Sequence, residues 1–148
     1  MKLVDANLLL YAIDEASPYH ERAKPWFEQA LSGTETVAFA WPVLLAFVRL
    51  ATNPRVFAAP LSVEDSLDYV DAWLEQPVAT IVHPTNRHGS VLRDVLLPLG
   101  TAGNLTSDAH LAALSIEHGA DLCSADGDFA RFPGVRWFNP LAPPASRR

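Results

Sequence analysis

An α/β protein built on a mainly parallel sheet is predicted by the alternation of two kinds of segment along this chain. Short apolar runs of strand length, at 2–4, 36–40, 80–83, 120–124 and 135–138, are separated by longer runs in which apolar residues recur with helical spacing. Strands joined by such crossover segments pair in parallel, and a parallel sheet is covered by helices on both faces. A third observation fits the same class: acids stand directly after apolar runs, at Asp5 and Asp126, where the strands of an open α/β sheet end and ligands gather. The expected sheet has four or five strands.

Each element has a local reason. Lys2-Leu3-Val4 reads as a first strand ending at Asp5, and the apolar run Asn7–Ile13 opens a buried helix. Ser17-Pro18 offers an N-cap followed by proline at the first helical position, for a helix to about Leu31 that Pro25 should kink and Gly33 should stop. Thr36–Ala40 is a second strand. Val43–Thr52 carries only Arg49 as a charge, which predicts a largely buried helix ending before Asn53-Pro54. Ser62-Val63-Glu64-Asp65 matches a capping box, and Val63, Leu67, Val70 and Leu74 continue it along one helix face. Thr80–His83 is a third strand and Asn86–Leu97 a helix. Thr106–His118 is a helix capped by Thr106 or Ser107 and closed by Gly119, Ala120–Ser124 a fourth strand, and Val135–Phe138 a fifth. A length of 148 residues suits one domain over 1–141, and the proline-rich segment 142–148 reads as a disordered tail.

Bulk properties narrow the function. Acids outnumber Lys and Arg by 17 to 11, and the formal charge of −6 argues against a broad basic surface for non-specific nucleic-acid binding. Arg49, Arg55, Arg87, Arg93 and Arg131 are the candidates for a local basic rim. The single Cys123 cannot form an internal disulfide, and its apolar surroundings mark a small buried hydrophobe rather than a nucleophile. No apolar run approaches the roughly 18 residues that span a bilayer, and the first residues lack a signal-peptide pattern. A soluble, cytoplasmic protein is expected.

The residues most able to carry chemistry are Asp5, Asp108 and Asp126. Each has an ordinary role as well: Asp5 as a strand-end turn residue, Asp108 as a favourable charge in a first helical turn, Asp126-Gly127 as a turn dipeptide. Yet Asp108 shares a helix face with Leu111, Ala112 and Ser115, and an acid on an apolar face must be protonated, paired or bound to a cation. Converging acids also repel one another, and a divalent cation resolves both conflicts. With no Cys or His cluster spaced to make a softer site, Mg²⁺ or Mn²⁺ is the expected occupant. His20, His83, His88 and His118 are assigned surface or capping roles; His110, two residues after Asp108, is the histidine to watch. Trp26, Trp41, Trp73 and Trp137 lie in apolar contexts that suit a core or a subunit interface.

Taken together, Val4-Asp5-Ala6-Asn7-Leu8-Leu9-Leu10, Thr106-Ser107-Asp108-Ala109-His110-Leu111-Ala112-Ala113-Leu114 and Leu122-Cys123-Ser124-Ala125-Asp126-Gly127-Asp128 resemble the PIN domain, specifically VapC-type toxins of toxin–antitoxin pairs. The resemblance covers nearly the whole chain. It implies a three-layer α/β/α sandwich, dependence on Mg²⁺ or Mn²⁺, endoribonuclease activity on structured RNA, inhibition by a VapB-like antitoxin, and a homodimer. It also implies that Asp5, Asp108 and Asp126 are catalytic metal ligands, that Asp128 matches a frequent nearby acid, and that Asn7 and Ser124 orient carboxylates or water from behind. One or two metals remain open. Most members carry a glutamate in the helix after the second strand, where this chain has Ala46 or Phe47. The alternative that follows is a catalytically impaired PIN-like binding module. A phospho-acceptor receiver domain fits poorly, because no lysine follows Lys24.

Overall fold

In the computed structural model, which describes residues 1–143, every strand is only two or three residues long. Such short runs hold together because each pairs in parallel with its neighbours. β1 (Lys2–Val4) lies between β2 (Val37–Phe39) and β4 (Asp121–Cys123), with β3 (Ala79–Ile81) outside β2 and β5 (Trp137–Phe138) outside β4. The strand order is β3-β2-β1-β4-β5, parallel throughout. The expected α/β class and sheet of four or five strands are both met, with five strands present among the described residues.

Six α-helices connect the strands: α1 (Ala6–Ile13), α2 (His20–Ser32), α3 (Trp41–Ala51), α4 (Val63–Leu74), α5 (His88–Leu96) and α6 (Thr106–Glu117). Crossovers between parallel strands are right-handed. The connections β1 to β2 and β2 to β3 step one way across the sheet, so they place α1–α4 on one face. The connection β3 to β4 steps back past β1 and places α5 and α6 on the other. The packing agrees, since α1 contacts α2 and α3, α3 contacts α4, and α5 contacts α6. Three layers result. Leu3, Val4, Val37, Ala38, Phe39, Leu122 and Cys123 are fully buried, as a sheet covered on both faces requires.

Several element ends differ from the sequence expectation. The Ser17 hydroxyl does accept a hydrogen bond from the Tyr19 N–H, but it closes a turn, and α2 begins only at His20. Pro25 lies inside α2, which continues through it to Ser32. Neither Thr106 nor Ser107 caps α6; Leu105 holds the cap position without a side-chain bond, and the Thr106 hydroxyl donates to the Gly103 carbonyl instead. Ser62 does cap α4, accepting from the Asp65 N–H, and Gly119, with φ of +63°, ends α6. Leu141 is buried, and its carbonyl accepts from Arg22 at 2.8 Å. Residues 144–148, the larger part of the expected tail, lie outside the described residues.

Aromatic packing joins the sheet to the helices above it. Trp73 of α4 sits 5.4 Å from Phe27 of α2 and 4.7 Å from Phe47 of α3, and stacks parallel to Phe39 of β2 at 6.5 Å. Phe39 and Phe47 are fully buried. Replacing Phe39 with Ala removes a ring on which two helices rest, and should cost about 3–5 kcal/mol of stability. Urea denaturation of the two proteins measures this; a loss under about 1 kcal/mol would mean that the cluster is not the keystone of that layer.

Candidate metal centre

The parallel register sets Val4 beside Cys123, and the Asp5 N–H donates to the Cys123 carbonyl at 2.9 Å, extending the ladder by one step. The residues immediately beyond the two strands, Asp5 and Ser124, are therefore neighbours. Asp5 is the N-cap of α1: its Oδ1 accepts from the Ala6 N–H at 2.7 Å, while its Oδ2 accepts from the Ser124 hydroxyl at 2.7 Å. Ser124 is fully buried, and its Oγ also accepts from Asn7 Nδ2 (3.1 Å) and the Asp126 N–H (3.0 Å). Asn7 Oδ1 in turn accepts from the Ala125 N–H. One hydroxyl thus ties both strand ends together and orients Asp5. Asn7 and Ser124 both hydrogen-bond to the Asp5 carboxylate and to each other.

Asp126 caps the short 3-10 turn Gly127–Arg131, with one carboxylate oxygen accepting from the Asp128 N–H at 2.9 Å. Asp108 stands in the first turn of α6. In an α/β sandwich each helix runs against its strand, so the start of α6 lies at the edge of the sheet where β1 and β4 end. There Asp108, Asp126 and Asp128 each offer a carboxylate oxygen within 4.8 Å of the others. Asp5 is not part of that group; it shares with Asp108 a cleft of about 140 Å³, lined also by Pro42, Val43, Ala46 and His110. The four acids named from the sequence gather in one region, with Asp5 on its inner side and Asp128 exposed at its rim.

Comparison with known proteins places this arrangement. The PIN domain model matches residues 2–135. The chain belongs to the PIN domain family. It is 51% identical to Ribonuclease VapC37 of Mycobacterium tuberculosis over 96% of this chain and 99% of that protein. It is 42% identical to Ribonuclease VapC33 of the same species, over 95% of this chain and 99% of the relative. Among solved structures it resembles VapBC2 from Rickettsia felis bound to a promoter DNA fragment, with a TM-score of 0.68 and 18% identity over 93% of this chain and 97% of the other. It also resembles Mycobacterium tuberculosis VapC20, a sarcin-ricin loop cleaving toxin, with a TM-score of 0.62 and 18% identity over 92% and 99% of the two chains. At that identity the structural likeness speaks for the fold.

Where PIN domains usually carry a glutamate on the helix after the second strand, the geometry points to Ala46. Ala46 lines the cleft beside Asp5 and Asp108, whereas Phe47 turns into the core against Trp73. The departure therefore removes an acid from the cleft itself.

Sequence reasoning missed a second group at this PIN site. His88, read as lacking a partner, donates from Nδ1 to Glu117 Oε2 (2.5 Å) and meets His110 Nδ1 with its Nε2 (3.0 Å). The signal was present, because His110 and Glu117 are seven residues apart and so lie on one face of α6 two turns apart. Tyr11 of α1 was also missed; burial raises its phenol, as do Tyr19 and the nearby charges of Asp126 and Asp5. Arg49, Arg55, Arg87, Arg93 and Arg131 are all exposed, and none lines the cleft among the described residues. No helix of the described residues is long and apolar enough to cross a membrane.

Burial raises the Asp5 carboxyl above its ordinary value despite the Ser124 and Ala6 hydrogen bonds, and the charge of Asp126 adds to the rise. Asp108 is pushed from 3.8 up to about 6, first by burial and then by Asp126, Asp5 and Asp128. Between those two values the folded protein holds a proton that the unfolded chain has released. The folded state binds more protons, so this group's contribution to stability falls as pH rises from about 4 to about 6. In metal-free protein, the Tm of Asp108→Asn minus that of the unmodified chain should therefore rise across this window. Added Mn²⁺ should raise the unmodified Tm at pH 7 and leave the variant nearly unchanged. A difference that stays flat from pH 4 to 7 would remove the strained acid cluster.

Proposed function

We propose that this chain is a divalent-metal-dependent endoribonuclease, the toxin of a VapBC-type toxin–antitoxin pair, acting in the cytoplasm through one PIN domain over residues 1–141. The observation that carries the reading is the meeting of Asp5 and Asp108 in one cleft, beside the carboxylate group of Asp108, Asp126 and Asp128. Relatives named ribonucleases that align along nearly their full length support the reaction class. Solved VapBC assemblies of the same fold support a VapB-like antitoxin as partner.

The residues fit a hard cation. All donors are carboxylate oxygens, those of Asp108, Asp126 and Asp128 gathered within 4.8 Å of one another, which is the donor chemistry a hard divalent cation takes. Asp5, Asp108, Asp126 and Asp128 would hold Mg²⁺ or Mn²⁺. The ion when bound supplies positive charge against a phosphodiester and activates water for attack. Ser124 holds the Asp5 carboxylate in one rotamer, and Asp126 is fixed by the turn it caps. Pro42 and Val43 give the cleft an apolar wall. The second reading, an impaired PIN-like binding module, is favoured by one observation: the side chain at the glutamate position is the methyl of Ala46.

Dimerisation is part of the proposal. On α3, Trp41 and Leu45 are 44% and 62% exposed and lie one turn apart, an apolar pair on the outer face of a helix whose inner face is buried. Leu45→Glu should convert a dimer to monomer in light scattering, and an unmodified chain that is monomeric at high micromolar concentration rejects the dimer alone.

Asp5→Asn and Asp108→Asn keep shape while removing the charge that holds the ion. Each should abolish Mg²⁺- or Mn²⁺-dependent cleavage of structured RNA, with circular dichroism unchanged and EDTA silencing the unmodified protein. Asp128→Asn should have a smaller effect if Asp128 is auxiliary, and an equal one if it replaces the acid absent at Ala46. Undiminished cleavage by both Asp5 and Asp108 variants sinks the proposed site; metal-independent failure of the unmodified chain to cleave any RNA, with retained antitoxin binding, selects the binding module.

A further inference from the structure

Beyond the carboxylates, the cleft has a nitrogen-bearing wall, and that wall is braced from behind. Glu117 is fully enclosed at its side chain, with Oε1 accepting from both the Thr85 N–H (2.9 Å) and the Thr85 hydroxyl (2.6 Å). Its Oε2 faces His88 Nδ1 at 2.5 Å. Burial alone would raise the Glu117 carboxyl, but the hydrogen bonds from Thr85 and His88 outweigh it and hold the group below the usual range, ionised. A carboxylate only accepts, so Nδ1 of His88 carries the proton. In its neutral form His88 has a bare Nε2, and that atom lies 3.0 Å from His110 Nδ1. To bond there, His110 must donate from Nδ1. Its own Nε2 is thereby left with a lone pair, on a ring that lines the cleft beside Asp5 and Asp108. The two imidazoles meet edge to face at 69°, so the contact also fixes the plane of the His110 ring.

We propose that Glu117 and His88 are positioning residues that hold His110 as its Nδ1–H tautomer, so that the bare Nε2 accepts a hydrogen bond from a hydroxyl donor in the cleft. The inference rests on the ribonuclease reading for the identity of that donor: the attacking water or the ribose 2′-hydroxyl beside the cleaved phosphate, each of which offers an O–H. An acidic wall cannot tell these apart from a cation. A lone pair aimed from one direction can, because it selects a donor and fixes where that donor stands.

The chain of contacts is read directly by long-range ¹H–¹⁵N correlation spectra of the imidazoles in the unmodified, metal-free protein at about pH 8, above the ordinary imidazole range. His110 should show a protonated Nδ1 and a bare Nε2. An Nε2–H tautomer overturns the proposal, whatever the cleavage assay gives, and needs no variant to fold. Glu117→Gln should mix the two tautomers and slow cleavage by about 10- to 100-fold, mainly in kcat, while leaving Mn²⁺ affinity by calorimetry unchanged. His110→Ala and His110→Gln should lose at least as much. Substrate carrying a single 2′-deoxy residue at the cleaved position separates the donors: the His110→Ala defect vanishes on it if the 2′-hydroxyl is the partner and persists if water is. Unchanged cleavage by His110→Ala overturns the proposal. If the unmodified chain cleaves no RNA, the ribonuclease reading and the hydroxyl contact fall together, whereas the spectrum still decides the tautomer.

Discussion

The pairing of β1 with β4 is the constraint on which the site depends. Strands that are remote in sequence lie side by side, in register from Lys2 with Asp121 to Val4 with Cys123, and both end at the same level. This is where the chain reverses its direction of travel across the sheet: β2 and β3 build outward on one side of β1, and β4 and β5 on the other. Helices diverge from such a point and leave a crevice beyond the strand ends. Asp5 and Ser124 project there as the first residues past the ladder, and Asp126 follows two positions later. A slip of one residue between β1 and β4 would exchange the faces of every side chain on one strand, and the Ser124 to Asp5 hydrogen bond would be lost with the core.

Electrostatic magnitudes explain why this crevice is strained without a cation. Two unit charges about 5 Å apart at an effective dielectric of about 20 repel by roughly 3 kcal/mol. Asp5 caps the start of α1 and Asp108 stands in the first turn of α6, and a helix terminus offsets about 0.3–1 kcal/mol for an acid so placed. Helix dipoles and the Ser124 hydroxyl therefore lessen the repulsion and cannot cancel it. The remaining imbalance appears in Asp108, whose carboxyl stays protonated well above the ordinary carboxylate range. Asp108 is the responsive member because the Asp5 carboxylate accepts from the Ala6 N–H, the Asn7 amide and the Ser124 hydroxyl, whereas no donor to Asp108 lowers its value.

Much of this was legible in the sequence. Short apolar runs mark the strands, because a doubly covered sheet demands them, and longer runs with helical spacing mark the helices between. The acids were legible because a charge at the end of an apolar run conflicts with its surroundings. Helix starts were less so: the Ser17 and Thr106 hydroxyls found partners in turns, and local competition between two hydrogen-bonding patterns leaves no trace in composition. The His88 contacts were invisible for a different reason. His88 lies 22 residues from His110 and 29 from Glu117, and only the packing of α5 on α6 brings them together. The choice between Ala46 and Phe47 likewise needed the rotation of α3 about its axis, which the burial of Phe47 against Trp73 determines.

The two helical layers contribute unequally to the crevice, and that division has a mechanical sense. Asp5, Ala46 and the apolar wall come from the strand ends and the layer of α1–α4, while Asp108 and His110 come from α6 in the opposite layer. α6 is buried along Ala109 and Leu111–Ser115, nearly all round, and its small residues let it lie close to the sheet. Ser115 meets this burial by donating its hydroxyl to the Ala112 carbonyl at 2.7 Å, so that no polar atom resists the packing. A helix so enclosed cannot rotate to relieve repulsion among the acids it carries. Its rigidity turns what would be a relaxation of the backbone into a standing electrostatic demand at the crevice, and it gives His110 a fixed base from which the His88 and Glu117 contacts can aim the ring.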